Sequence, residues 1–337
     1  MPGSHFPPDA WIVGVDLGGT NIAIGALQAD GSREVAFHSE PTLAVEGPEA
    51  VTERIVKAVE RTITRVQQET GATRAQFVGV GIGAPGPLDR ARGVVITAPN
   101  LGWTDWPLRE KVHAATGLHA TLDNDANCAT LGEWWLGAAR GTRNAIGITI
   151  GTGIGGGIVI DGQLYHGASD VAGEIGHVTI DSTGRRCKCG NYGCLEAYAS
   201  GPAIAERARE AMWGEEPGVL WRLVEGDVSR ITAQMVYAAS KQGDPIAIDV
   251  VRETARYLGA GIGALLNVLN PEVVVLAGGV VNAGESLFQP LRAEVKRRAF
   301  RPAVEACRIM PGALGGSAGV VGAVAAFLQQ TRGLDPA

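Results

Sequence analysis

Two short stretches constrain this chain more than any others. "IVGVDLGGTNIAIG" begins at Ile12 and "AIGITIGTGIGGGI" begins at Ala145. Each is an apolar strand, a Gly/Thr turn and a second apolar strand. An internal repeat of this kind predicts two related α/β halves, each offering a glycine-rich turn. Two unrelated hairpins in which Gly supplies φ > 0 would leave the same trace. At 337 residues the chain is long for one core and suits two lobes.

The turns themselves narrow the chemistry. "GTGIGGG" (residues 151–157) has dinucleotide-like spacing, but the residues after it read as a strand. A nicotinamide-binding turn needs a helix there. No Gly-Lys-Ser/Thr triplet follows, so a P-loop is excluded as well. What remains is bare backbone N–H with a Thr hydroxyl, which can cradle phosphate oxygens. "DLGGTN" (residues 16–21) adds a carboxylate that can help place Mg²⁺. The candidate phosphate residues are therefore Asp16, Gly18, Gly19, Thr20 and Asn21, with Gly151, Thr152 and Gly153.

Further along, residues 50–70 show helical apolar spacing that stops at Gly71. Residues 77–86 read as a buried strand running into a Gly/Pro loop. "GLHATLDNDANCATLGEWW" reads as a strand, a polar switch at Asp123–Asp125, then a helix. Residues 204–213 and 247–269 read as helices. Asn270-Pro271 stops the second, 272–277 is a strand, and Gly278-Gly279 a turn. The chain closes on a Gly-rich loop and a small-residue helix.

Asp123 and Asp125 stand at a strand end, where a carboxylate can accept a proton, but Asp and Asn at a helix start also cap free N–H groups. Both readings stand on spacing alone.

Bulk properties exclude some partners. The net charge is -6 with no Lys/Arg block, which argues against nucleic acid and anionic membranes. No signal peptide and no apolar run of membrane length is seen, so the expectation is a cytoplasmic protein. There, clustered cysteines are more often metal ligands or catalytic groups than disulfides.

"DLGGTN", "GAPGPLD", "NLGW", "DNDAN", "IGTGIGGGIVIDG", "GEIGH" and "CKCGNYGCLE" occur in this order. Together they make the chain resemble the ROK family of repressors and sugar kinases, over nearly its whole length. The resemblance implies an α/β, two-lobed actin-like ATPase (ribonuclease H-like) fold with a cleft between lobes and a small zinc-binding loop. It implies a small lobe of residues 1–124, completed by a C-terminal helix at 316–337. A large lobe of residues 125–315 would carry the zinc loop at 177–196. The first phosphate turn begins at Asp16, so the repressors' N-terminal DNA-binding domain is not expected.

The implied activity is ATP-dependent phosphorylation of glucose, with Asp125 as general base. Asn100, Asn124, Glu174, His177 and Glu196 are implied sugar ligands, and Gly83 and Ala84 bring backbone near the sugar. Trp103 and Trp106 could stack on a ring, although core packing suits them better. Gly278 and Gly279, with Gly315 and Gly316, are expected near the nucleoside. Another hexose (mannose, fructose or an N-acetylhexosamine), polyphosphate as donor, or a non-catalytic sugar sensor are the alternatives. Family habit implies a homodimer or a tetramer.

Cys187, Cys189 and Cys194 with His177 make a Cys₃His set, which fills tetrahedral Zn²⁺ with no open position. Free thiols are the competing reading of the spacing, and the resemblance favours zinc. Gly190 and Gly193 would let the backbone close round the ion. A zinc-bound imidazole keeps its second nitrogen for a hydrogen bond. Zinc is thus expected to clamp Glu174, His177 and Glu196 for the sugar. Cys128 and Cys307 read as small buried residues.

Overall fold

The computed structural model describes residues 6–212 and 218–331. Trp213, which the sequence reading included in a helix, and residues 332–337 of the expected C-terminal helix lie outside them. The chain opens with strands Trp11–Leu17 (β1), Asn21–Gln28 (β2) and Glu34–Pro41 (β3), helix Pro48–Thr70 (α1) and strand Phe77–Ala84 (β4). Short strands Leu88–Asp89 (β5), Val94–Ala98 (β6) and Trp103–Trp106 (β7) follow. Next come helix Leu108–Thr116 (α2), strand His119–Asn124 (β8) and helix Asp125–Trp135 (α3). Strands Ala145–Ile150 (β9), Ile154–Ile160 (β10) and Gln163–Leu164 (β11) lead to helices Glu196–Ala199 (α4), Gly201–Ala211 (α5), Val219–Leu223 (α6), Ala233–Lys241 (α7) and Pro245–Leu269 (α8). Strand Val273–Ala277 (β12), helices Glu285–Arg298 (α9) and Arg301–Ala306 (α10), strand Arg308–Pro311 (β13) and helix Ala318–Gln330 (α11) complete it.

Two compact units result. One holds residues 1–143, 157–173 and 313–337; the other holds 144–156 and 174–312. The sequence reading put α3 in the second lobe. Here it sits in the first unit, because Gly132 of α3 lies against the Ala318 carbonyl and Gly322 of α11 against that of Cys128.

In the first unit the sheet order is β3-β2-β1-β4-β8. β2 is antiparallel to β1 and β3, while β4 runs parallel to β1 and β8. β1 is buried along nearly all its length. It can be, because α11 covers it at very close range. A Cβ on Gly14 would strike the Val320 carbonyl, and one on Gly81 that of Ala323. Glycine in the strands and small residues in the helix explain each other. α1 buries Val51, Ile55, Val59, Ile63 and Val66 in the same core and ends on Gly71 at φ 76.

The second sheet has the order β11-β10-β9-β12-β13. β12 runs parallel to β9 and to β13. Its core draws Ile146, Ile148 and Ile150 together with Leu258, Ile262 and Leu266 of α8 and Leu287 and Leu291 of α9. Strand for strand, this order repeats the first sheet, with β9 in the place of β1. The two glycine hairpins are therefore equivalent positions of a repeated topology. Among the described residues, no helix is long and apolar enough to cross a membrane.

Candidate functional site

Asp16 lies near the end of β1, paired with Ala23 of β2 and Gly83 of β4. The turn after it closes with the Gly18 N–H donating to the Asn21 carbonyl at 2.9 Å. Thr42 braces it from outside: its hydroxyl donates to the Gly18 carbonyl at 2.7 Å and its N–H to that of Thr20 at 2.8 Å. Thr20 and Asn21 are exposed. Neither Gly18 nor Gly19 takes a left-handed φ, nor do Gly151 and Gly153. Gly19 serves close approach instead: a Cβ there would sit 3.1 Å from the Cβ of Asn100, whereas Gly151 faces open space.

At the end of β8 the capping and candidate-base roles fall on different residues. Asn124 is the N-cap of α3, its Oδ1 accepting from the N–H of Ala126 at 3.0 Å and of Asn127 at 3.1 Å. Asp125 is the first helical residue, and its Oδ1 accepts from the Ala126 N–H at 2.8 Å. Burial pushes the Asp125 carboxyl up, against the pull of that N–H. Burial, and then the charge of Asp125, push Asp16 up to about 7. Gly83 is closely packed, since a Cβ there would lie 3.1 Å from Cys128 Sγ. Ala84 pairs with Asn124 across β4 and β8.

Asp123 is a buried hub. It accepts from Arg90 Nε at 3.1 Å, Gln330 Nε2 at 3.0 Å, Asn127 Nδ2 at 3.3 Å and the Asn124 N–H at 2.9 Å, and meets His166 Nε2 at 2.9 Å. Burial works to raise its carboxyl; the His166 hydrogen bond and the His166 and Arg90 charges outweigh it and hold the group low. Arg90 also reaches Asp170 Oδ1 at 3.3 Å. Arg90, His166, Asp170 and Gln330 were absent from the sequence reading.

In the second unit, the turn between β9 and β10 closes with Gly151 N–H on the Gly153 carbonyl at 2.9 Å. Thr152 is exposed at its tip. Gly151, Thr152, Gly201, Pro202, Gln234 and Gly279 line a hollow of ≈ 470 Å³. Gly278 turns the chain at φ 91, against the Ile150 carbonyl. Of Gly278, Gly279, Gly315 and Gly316, which the sequence reading expected near a nucleoside, Gly279 lines this hollow; its Gly201, Pro202 and Gln234 were not named from sequence. Gly316 lines a different hollow with Glu34, Phe37 and Ser317 in the first unit.

His177, Cys187, Cys189 and Cys194 come together, their ligand atoms all within 4.8 Å of one another. Cys189 Sγ and Cys194 Sγ are 3.7 Å apart, and Cys187 Sγ and His177 Nδ1 3.8 Å. A sulfur pair at that separation is no disulfide. Zn–S and Zn–N bonds of about 2.3 and 2.0 Å in a tetrahedron put neighbouring ligand atoms about 3.5–3.8 Å apart. The four residues therefore fit zinc. Gly190 at φ 97 and Gly193 at φ 73 make the turns of the loop, and Gly193 packs on the Asp181 carbonyl. Tyr198 anchors the loop from below, its hydroxyl accepting the Arg185 N–H at 2.7 Å and donating to Asp181 Oδ2 at 3.2 Å. With Nδ1 toward the sulfurs, His177 Nε2 lies 4.0 Å from Glu174 Oε2. Glu196 Oε2 accepts the Ile154 N–H at 2.8 Å.

Of the remaining residues, Trp103 is 1% exposed in the core. Trp106 is held by its Nε1 donating to Thr52 Oγ1 at 3.0 Å. Cys128 is buried beneath β4, and Cys307 is only half-buried.

The ROK family model matches residues 12–330. A glucokinase of Halalkalibacterium halodurans is 38% identical over 329 residues, 97% of this chain and 98% of that protein. A xylose repressor of Caldicellulosiruptor bescii is 33% identical over 291 residues, 86% of this chain and 71% of its own. A ROK family glucokinase from Streptomyces griseus, crystallised with glucose and AMPPNP, is 36% identical. It matches with a TM-score of 0.79 over 95% of this chain and 100% of that one.

Proposed function

This chain belongs to the ROK family, and on that premise we propose that it is a sugar kinase moving the γ-phosphoryl group of ATP onto glucose. The observation that carries the reading is Asp125: a half-buried carboxyl whose desolvation raises its proton affinity, at the first position of a helix whose cap is already supplied by Asn124. A carboxylate relieved of capping and made more basic by burial is suited to accept a hydroxyl proton.

In this reading the sugar hydroxyl gives its proton to Asp125 as its oxygen bonds to the γ-phosphorus. The bond from that phosphorus to the bridging oxygen breaks, and ADP leaves. Phosphoryl transfer asks the protein mainly for position and charge. Asp16 would help to place the Mg²⁺ that accompanies ATP, and the bare turns at 18–21 and 151–153 would hold phosphate oxygens. The hollow beyond Thr152, lined by Gly201, Pro202, Gln234 and Gly279, takes the nucleoside. Asn100, Glu174, His177 and Glu196 contact sugar hydroxyls, and Asn124 offers its amide there.

His177, Cys187, Cys189 and Cys194 hold zinc. A four-ligand zinc has no open position, so what it supplies when bound is a fixed loop geometry. His177 Nε2 stays on the side of Glu174, available to a sugar oxygen.

Purified zinc-loaded protein with MgATP should form ADP on adding glucose. Turnover with mannose, fructose or an N-acetylhexosamine instead would change the substrate and keep the mechanism. Turnover with polyphosphate alone would change the donor. The xylose-repressor relative supports a second reading, a sugar sensor. That reading requires sugar binding with no turnover on either donor.

A further inference from the structure

The cysteine cage and the turn at 151–153 meet on a single residue, Ile154. Its N–H donates to Glu196 Oε2 at 2.8 Å. Glu196 follows the ligand Cys194 by two positions, and its other oxygen lies 3.8 Å from Cys187 Sγ. The Ile154 carbonyl lies against Gly176, where any side chain would collide. Gly176 immediately precedes the ligand His177. Ile154 is thus hydrogen-bonded at its N–H and packed at its carbonyl by segments that flank the cage. In the turn, Gly153 also lies against this carboxylate: a Cβ there would sit 2.6 Å from Glu196 Oε2. On its other side the Gly151 carbonyl accepts the N–H of Gly201, the first residue of α5, at 2.9 Å. α5 is reached through α4, which begins at Glu196 itself.

We propose that the zinc cage and the 151–153 turn form one coupled unit, with Glu196 as the positioning residue between them. The loaded cage sets the turn for phosphate, so zinc supports nucleotide binding as well as sugar binding. The inference rests on the kinase reading, in that the turn's ligand is the phosphate chain of a nucleotide. Coupling of this kind is reciprocal: a bound nucleotide tightens zinc by the same factor.

The experiment is calorimetric binding of MgAMPPNP, without sugar, to zinc-loaded and zinc-stripped protein, each checked for folding by circular dichroism. Stripping should weaken nucleotide binding about tenfold, within the usual range of coupling between two sites. Zinc-loaded Glu196→Ala, with metal content measured, should show a loss of similar size. Stripping this variant should then cost little more, because the connection is already cut. Zinc-loaded Glu196→Gln, which keeps an oxygen for the Ile154 N–H, should recover part of the affinity.

Equal nucleotide affinity with and without zinc overturns the proposal. So do losses that simply add in the stripped Glu196→Ala protein. If stripping unfolds the chain, the loaded variants decide, and normal affinity in Glu196→Ala rejects the connection. No binding by loaded wild-type protein removes the kinase reading, and this inference with it. Binding that ignores zinc and Glu196 removes this inference alone.

Discussion

Asp16 and Asp125 are electrostatically linked: burial first, and then the charge on Asp125, push the Asp16 carboxyl up to about 7 from an ordinary 3.8. Between those values the folded protein holds a proton that the unfolded chain has released. Stability therefore falls as pH rises through that window. Asp16→Asn removes the penalty. In Mg²⁺-free buffer the variant should be more stable than wild type at pH 8, by up to roughly 4 kcal/mol, with the difference vanishing below about pH 4. Urea unfolding across pH 4–8 reads it. Identical slopes for the two proteins would reject the interaction.

The raised carboxyl of Asp125 also predicts a pH profile. A proton acceptor works only when ionised, so activity rises with pH as this group deprotonates. The acid limb of kcat/KM should therefore lie above the usual aspartate range. A limb at an ordinary aspartate value would detach Asp125 from the chemistry, or its burial from the working enzyme.

His166 Nε2 donates to Asp123, and Asp123 anchors the end of β8, from which α3 starts at Asp125. His166→Ala leaves a buried carboxylate short of a partner, with Arg90 and Gln330 still in place. The cost should be about 1–3 kcal/mol of stability. Because Asp123 is held low, its support is present above the ordinary aspartate range and is lost as pH falls through its folded value. Thermal melts of wild type and His166→Ala should therefore converge in acid. Parallel curves down to low pH would place the loss elsewhere.

Cys189 is the exposed member of the cage. Cys189→Ser should lower bound zinc from one equivalent to a small fraction. It should reduce Tm, since metal binding contributes directly to folding free energy. Metal analysis alongside calorimetry tests both. Retention of a full equivalent would mean that three ligands suffice.

Local signals in the sequence revealed the frame. The strands on either side of each glycine turn, α1 with Gly71 behind it, and α8 with Asn270 at its end were legible because periodicity and caps act over a few residues. The repeated sheet order follows from two such hairpins. The short strands β5, β6 and β7 were not legible, being two to five residues long. The buried hub around Asp123 was hidden for another reason. Its partners Arg90, His166 and Gln330 stand 33, 43 and 207 positions away, and no local pattern marks them. Glu196 is similar. Its place beside Cys194 was visible, but its hydrogen bond to Ile154 spans 42 positions. The cysteine cluster was readable because its spacing is itself the geometry. Cys307 was expected to be buried and is half-buried, at the edge between α10 and β13.

The central claim is that Asp125 takes the proton from the sugar hydroxyl. Its most direct measurement is the turnover of Asp125→Asn with glucose and MgATP, beside glucose binding and Tm of the same protein. The account predicts kcat lower by about 10²–10⁴, with sugar bound and the fold intact. Turnover near that of wild type would contradict it and return Asp125 to the helix end as a structural residue.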